Sequence, residues 1–214
     1  MVVLFCSGAS VAGPDCAAFG AKGCYFSGAQ PGVKAPLLVY YRGFLSNYNY
    51  PAGGLSGGHI TGQANILSSA RSALNFYGLK KLAQERGLVV LVTGSSDISV
   101  VQSDVDRLQS ELGYVFPRVY VAAHSGGYAG LRQSIGTFDR VDSIVLLDPF
   151  YTDFSASIRP RIVQGAACSG FYTPHNAPRY EKYFSGLGCS VQARASASDH
   201  ENWVAPCLQR AFSK

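Results

Sequence analysis

The sequence predicts an α/β protein whose mainly parallel central sheet has helices on both faces. Short, continuously apolar runs recur along the chain, as strands buried on both faces require: LVVLVTG (88–94), RVYVAA (118–123) and SIVLLD (143–148). Helical periodicity fills the intervals between them, which makes each strand–helix–strand unit a crossover rather than a hairpin. The 214 residues, 47% hydrophobic and 14% charged, are enough for one sizeable core and short for two. A single domain over 1–214 is expected.

In chain order, residues 1–35 form a Cys- and Gly-rich N-terminal segment packed on that domain, with an antiparallel pair leading into the sheet. PLLVYYRG (36–43) is the first strong strand. The glycine-rich stretch 51–62 reads as a surface loop. Helical patterning then runs from about Ala64 to Arg86 and, after the strand at 88–94, from about Ile98 to Leu112. RVYVAA is followed by a helix after Ser125, and SIVLLD by further strands at RIVQGAA (161–167) and SVQARAS (190–196). A helix from about Glu201 to Ala211 closes the chain, with Ser198 and Glu201 at capping-box spacing.

The formal charge of +5 is scattered, with Lys80-Lys81 the sole pair of adjacent lysines and no basic block, so no nucleic-acid partner is expected. No apolar run approaches the roughly 20 residues that span a bilayer. The start, Met1 then VVLFC, lacks the charged region and long apolar core of a secretory signal. Cys6, Cys16, Cys24, Cys168, Cys189 and Cys207 form no CxxC pair and lack histidines at zinc-like spacing. Their even number favours disulfides and a secreted or periplasmic location, and no connectivity is assigned.

The chemistry points to the corner after RVYVAA. In AAHSGGYAG the strand gives way to a helix at Ser125, flanked two positions away by Ala123 and Gly127. A nucleophile on so tight a turn requires strained backbone and small neighbours, and the helix that follows offers free N–H groups to a developing oxyanion. HSGGYAG lacks the G-x-G-x-x-G spacing and comes late in the chain, which disfavours a dinucleotide site. A serine needs a base to take its proton and a third group to orient the base. Of the four histidines, His124 adjoins Ser125 and points away from it in such a turn, His59 lies in the glycine-rich loop, and His175 and His200 come later.

The Ser125 stretch resembles the nucleophile elbow of the α/β-hydrolase superfamily, with Ala in place of the first glycine of G-x-S-x-G. The resemblance implies that the catalytic histidine is in the last loop, which selects His200 with His175 in reserve. It also implies an acid at a strand end between serine and histidine. Asp148 in SIVLLDPFY fits, 23 residues after Ser125, with Asp153 the alternative and Asp199 too close to the base to face its ring. An acid placed there, in LDP, looks like the pancreatic lipase branch, and LVYYRGFLSN matches that branch's H-G-F at Gly43-Phe44 with Arg42 for the histidine. The oxyanion donors are then the backbone N–H groups of Phe44 and Gly126. With about a dozen residues between SIVLLD and the next strand, no large cap domain fits.

These readings imply a serine hydrolase of carboxylic esters, esterase- or lipase-like, needing neither cofactor nor metal and acting as a monomer on a small-molecule or polymer ester. Tyr41, Tyr48 and Trp203, with Tyr40 and Tyr50, are expected to supply an aromatic substrate floor. An amidase or peptidase would share the same triad, and a non-catalytic binding protein on the same scaffold would not need one.

Overall fold

The computed structural model describes residues 17–19, 23–43, 73–93 and 98–213. Eight strands form one sheet: β1 (Ala17–Phe19), β2 (Gly23–Ser27), β3 (Leu37–Tyr41), β4 (Val89–Thr93), β5 (Val119–His124), β6 (Ser143–Leu147), β7 (Ala167–Tyr172) and β8 (Ser190–Ala193). Their spatial order is β1-β2-β4-β3-β5-β6-β7-β8. β1 pairs with β2, and β2 with β4, antiparallel; every other pairing is parallel.

Alternation within single strands builds two cores. Leu37, Val39 and Tyr41 of β3 face one core while Leu38 and Tyr40 face the other, and Ile144 and Leu146 of β6 oppose Val145 and Leu147 in the same way. Both faces being covered, the strands read as unbroken apolar runs. Helices α1 (Leu79–Arg86) and α7 (Val204–Ala211) cover one face through Leu79, Leu82, Val204 and Leu208. On the other lie α2 (Ile98–Ser110), α3 (Tyr128–Ser134) and α4 (Ser155–Val163), through Val101, Val105, Leu131 and Ile158. α5 (Ala177–Tyr183) and the short α6 (Asp199–Asn202) complete the set.

Two assignments differ from the sequence reading. The RIVQ of 161–164 continues a helix: α4 buries Ile158, with Ile162 one turn later packed against the same core and Val163 81% exposed. The strand begins instead at Ala167, in ACSGFY, whose small residues hide its period. The helix expected up to Arg86 is broken in its described part, since residues 73–76 are helical and Gly78 takes φ 66° before α1 starts. The stretch 64–72 and the loop 51–62 lie outside the described residues.

A disulfide joins Cys168 in β7 to Cys189 just before β8, while Cys207 is a buried free thiol whose burial pushes its pKa up to about 11. Cys6 and Cys16 lie outside the described residues. No described helix is long and apolar enough to cross a membrane.

Candidate active site

Parallel strands bring the sites of interest to one edge. The register pairs Tyr41 with Thr93 and Ala123, His124 with Leu147, and Tyr172 with Ala193, so Gly43, Ser125, Asp148 and Thr173 all follow carboxyl ends at the same edge. This is where ligands bind in open α/β sheets.

Ser125 forms the turn between β5 and α3 with φ 52°. A non-glycine residue there carries strain of about 1–3 kcal/mol that only a rigid surrounding sustains. Its neighbours must be small. A Cβ on Gly127 would lie 2.1 Å from the Tyr41 carbonyl oxygen, and one on Gly43 would lie 2.8 Å from Ser125 Cβ and 3.2 Å from its Oγ. Gly43 therefore packs directly against the serine. Phe44, the next residue, lies outside the described residues. Gly126 is buried at the start of the helical turn, where the first N–H groups have no intrahelical acceptor.

Asp148 is the second described non-glycine residue with positive φ, at 54°, and it is fully buried. Four donors converge on its carboxylate. Thr173 gives its backbone N–H to Oδ1 (2.9 Å) and its hydroxyl to Oδ2 (2.7 Å), Asn176 gives Nδ2–H to Oδ1 (2.9 Å), and His200 gives Nδ1–H to Oδ2 (2.6 Å). Burial pushes the Asp148 carboxyl up, but the hydrogen bonds from His200, Asn176 and Thr173 outweigh it and hold the group below its usual value. Asp148 is thus an ionised acceptor at neutral pH. Asp153, by contrast, is exposed and caps the start of α4 through Ser155.

His200, in α6, has its Nδ1 fixed by Asp148 and its side chain 18% exposed. No hydrogen bond joins it to Ser125 in this structure; the two share Tyr151. The Tyr151 ring lies edge-on to His200 at 6.3 Å, and its hydroxyl interacts with the side chains of Ser125 and Asn176. Burial raises the Tyr151 pKa, the Ser125 contact works against it, and the net is upward, leaving a neutral phenol beside the serine. Catalytic hydrogen bonds are commonly loose before substrate binds.

His124 lies behind this group, fully buried, its ring 4.8 Å from that of His200. Its Nε2 is 3.0 Å from the His200 carbonyl oxygen, which only accepts, so Nε2 carries the hydrogen. Desolvation lowers its pKa to about 4. His124, His200 and Glu201 bring one ligand atom each within 4.8 Å of one another. Because His124 Nε2 is committed as a donor, it has no lone pair for a metal.

Several expectations are corrected. Tyr41 is 1% exposed, and its hydroxyl bonds to Ser134 in α3, because its position in β3 points it into the core rather than a cleft. Tyr40 is likewise buried, against Tyr77. Trp203 packs under the Arg194 guanidinium (3.9 Å) and lines a cavity of about 240 Å³ with Cys168, Gly170, Cys207 and Arg210, whose walls include none of Ser125, Asp148 or His200. Ser198 makes no side-chain cap, and Glu201 accepts from the Tyr77 hydroxyl, so the capping box does not form. His175 is exposed, its ring 5.9 Å from Tyr151. Tyr48, Tyr50 and His59 lie outside the described residues. The sequence reading missed Thr173, Asn176, Tyr151, Tyr77 and Glu201. Thr173 meets Asp148 only through the pairing of β7 with β6, which sets Phe171 opposite Leu147.

A strained serine after β5, a carboxylate after β6 and a histidine beyond β8, on a sheet of this strand order and direction, decide the architecture. The chain has an α/β-hydrolase fold.

Among solved structures this hydrolase fold is similar to the acylaminoacyl peptidase of Pyrococcus horikoshii, at 9% identity and TM-score 0.44, covering 88% of this chain and 37% of that one. It is similar to a bifunctional GH43-CE protein of Bacteroides eggerthii, at 11% identity and TM-score 0.47, covering 90% of this chain and 36% of that one. A third is the acetyl xylan esterase of Paenibacillus sp. R4, at 13% identity and TM-score 0.40, covering 89% and 79%. The chain thus spans just over a third of the first two. No protein-family model matches the sequence, and no curated protein does.

Proposed function

We propose that this chain is a serine hydrolase that cleaves carboxylic esters through Ser125, His200 and Asp148. The observation that carries the reading is the 2.6 Å hydrogen bond from His200 Nδ1 to a buried, ionised Asp148 at the sheet edge that presents Ser125 on a strained turn. With its Nδ1–H held by Asp148, His200 keeps Nε2 as the lone-pair nitrogen that a general base needs.

Ser125 Oγ attacks the ester carbonyl as His200 Nε2 takes its proton, and Asp148 stabilises the imidazolium. The tetrahedral oxyanion is met by the backbone N–H groups of Gly126 and Phe44. Collapse releases the alcohol, protonated by His200, and leaves an acyl-enzyme, which water hydrolyses by the same steps in reverse. Esters are favoured because an alkoxide leaving group asks less of the acid step than an amine. The connection from β6 to β7 holds α4 alone, which supports an open cleft on that side. The disulfide supports an oxidising compartment.

Hydrolysis of p-nitrophenyl acetate and butyrate by the wild type and by Ser125→Ala tests the reading. Wild-type turnover is expected to fall at least about 10³-fold in the variant. Equal rates in the two proteins would refute it.

A further inference from the structure

His200 has a carboxylate on each side. Asp148 holds Nδ1, while Glu201 Oε1 lies 4.0 Å from Nε2, the nitrogen that must gain and lose the proton. Glu201 is not a loose surface group. Its side chain is 17% exposed, its Oε2 accepts a hydrogen bond from the Tyr77 hydroxyl, and Tyr77 is itself 3% exposed and packed edge-on against His124. Its Oε1 is also 4.0 Å from His124 Nε2, so this oxygen lies near both imidazoles while Tyr77 holds the other. Sequence spacing gave Glu201 a helix cap to make; the structure turns it toward the histidine instead.

We propose that Glu201, held by Tyr77, is a positioning residue for the base, its charge favouring the imidazolium that forms on His200 as Ser125 loses its proton. This rests on the serine-hydrolase reading above. At 4.0 Å the carboxylate is beyond hydrogen-bond contact with Nε2, so it leaves that nitrogen open to the serine while still lowering the energy of a positive charge on the ring. Asp148 shares its charge between His200 and three further donors, so a second carboxylate adds to its effect on the ring. Among the described residues, the titratable groups facing His200 are Asp148 after β6, Tyr151 in the loop that follows, His124 at the end of β5, and Glu201 in its own helix, with Tyr77 behind Glu201. Of these, Asp148 and Glu201 are the anions, and His124 is neutral in the working range.

The test is the pH profile of p-nitrophenyl acetate hydrolysis for wild type, Ser125→Ala, Glu201→Gln and Tyr77→Phe, with thermal unfolding of each. Glu201→Gln keeps the Tyr77 partner and removes the charge. It is expected to lower kcat about tenfold with KM changed less than about twofold, and to move the acid limb of the profile down by about one pH unit. Tyr77→Phe removes one hydrogen bond from the carboxylate and should move the limb the same way by less. Raising the salt to about 0.5 M should narrow the gap between wild type and Glu201→Gln, as screening of a partly exposed pair requires. An acid limb that stays in place in both variants, with kcat within twofold of wild type, overturns the proposal, and so does a loss of melting temperature with no movement of the limb. If Ser125→Ala retains activity, the underlying hydrolase reading fails; if it is inactive while Glu201→Gln leaves the limb unmoved, only this inference fails.

Discussion

Replacing Asp148 by asparagine removes one charge and changes almost no volume, which makes it the sharpest probe of the site. The wild-type carboxylate accepts from four donors. On Oδ1 they are the Thr173 backbone N–H, which cannot reverse its polarity, and the Asn176 amide, whose nitrogen also donates to the Asp148 backbone carbonyl. On Oδ2 they are the Thr173 hydroxyl, which can rotate to accept, and His200 Nδ1. The asparagine carbonyl oxygen is therefore expected at Oδ1 and its amide nitrogen at Oδ2. His200 must then accept at Nδ1, which places its hydrogen on Nε2 and leaves no lone pair for the Ser125 proton. Wrong-tautomer histidines of this kind cost on the order of 10⁴ in kcat, about 5.5 kcal/mol of transition-state stabilisation. The assay is kcat for p-nitrophenyl acetate at pH 8, with Asp153→Asn as the control, since Asp153 is exposed and bonds only to Ser155 among the described residues. The control should stay within about threefold of wild type, as surface substitutions usually do. A fall of less than tenfold in Asp148→Asn would refute the tautomer argument, and a severe fall in the control would move the acid to Asp153.

His124 makes stability depend on acid. Its folded pKa of about 4 lies below the ordinary 6.5, so the unfolded chain binds the extra proton first, and stability present above pH 6.5 is lost as the pH falls toward 4. Between pH 7 and pH 5 this contribution amounts to about 2 kcal/mol, opposed by Asp104, whose carboxyl pKa burial raises to about 6, so it is read as the change in the gap between the urea midpoints of wild type and His124→Phe across that interval. Gly43→Ala should leave the protein folded while cutting kcat/KM at least about tenfold, because its methyl group meets the Ser125 side chain at 2.8–3.2 Å. Circular dichroism paired with the ester assay reads both parts; a fully active Gly43→Ala would contradict the close packing of Gly43 on Ser125.

The fold was legible because burial on both faces leaves its mark on every central strand: LLVYY, VVLVT and SIVLL carry no polar alternation to confuse them with hairpins. β7 escaped because ACSGFY is nearly featureless, and its neighbour RIVQ borrows strand-like residues for a helix that one apolar turn, Ile158 to Ile162, holds in place. At the site, Ser125, Asp148 and His200 stand out one by one because each follows a strand end or precedes a helix. What surrounds them does not, since Thr173, Asn176 and Tyr77 are ordinary residues until the pairing of β6 with β7 and the packing of residues 73–77 give them neighbours. The aromatic floor failed for a similar reason. Composition gathers tyrosines into one stretch, but alternation along β3 sends Tyr40 and Tyr41 into opposite cores.

Among the described residues, the only two side-chain-bearing positions with left-handed backbone are Ser125 and Asp148. Folding thus works uphill at the two corners where the chemistry is proposed to reside, and the remainder of the sheet has to hold them there. Glycine would relax the Ser125 corner, whereas at Asp148 it would also strip Thr173, Asn176 and His200 of their shared acceptor. Selection for thermostability alone, unaccompanied by a screen for turnover, would accordingly drift toward glycine at Ser125 and yield a sturdier but inert scaffold.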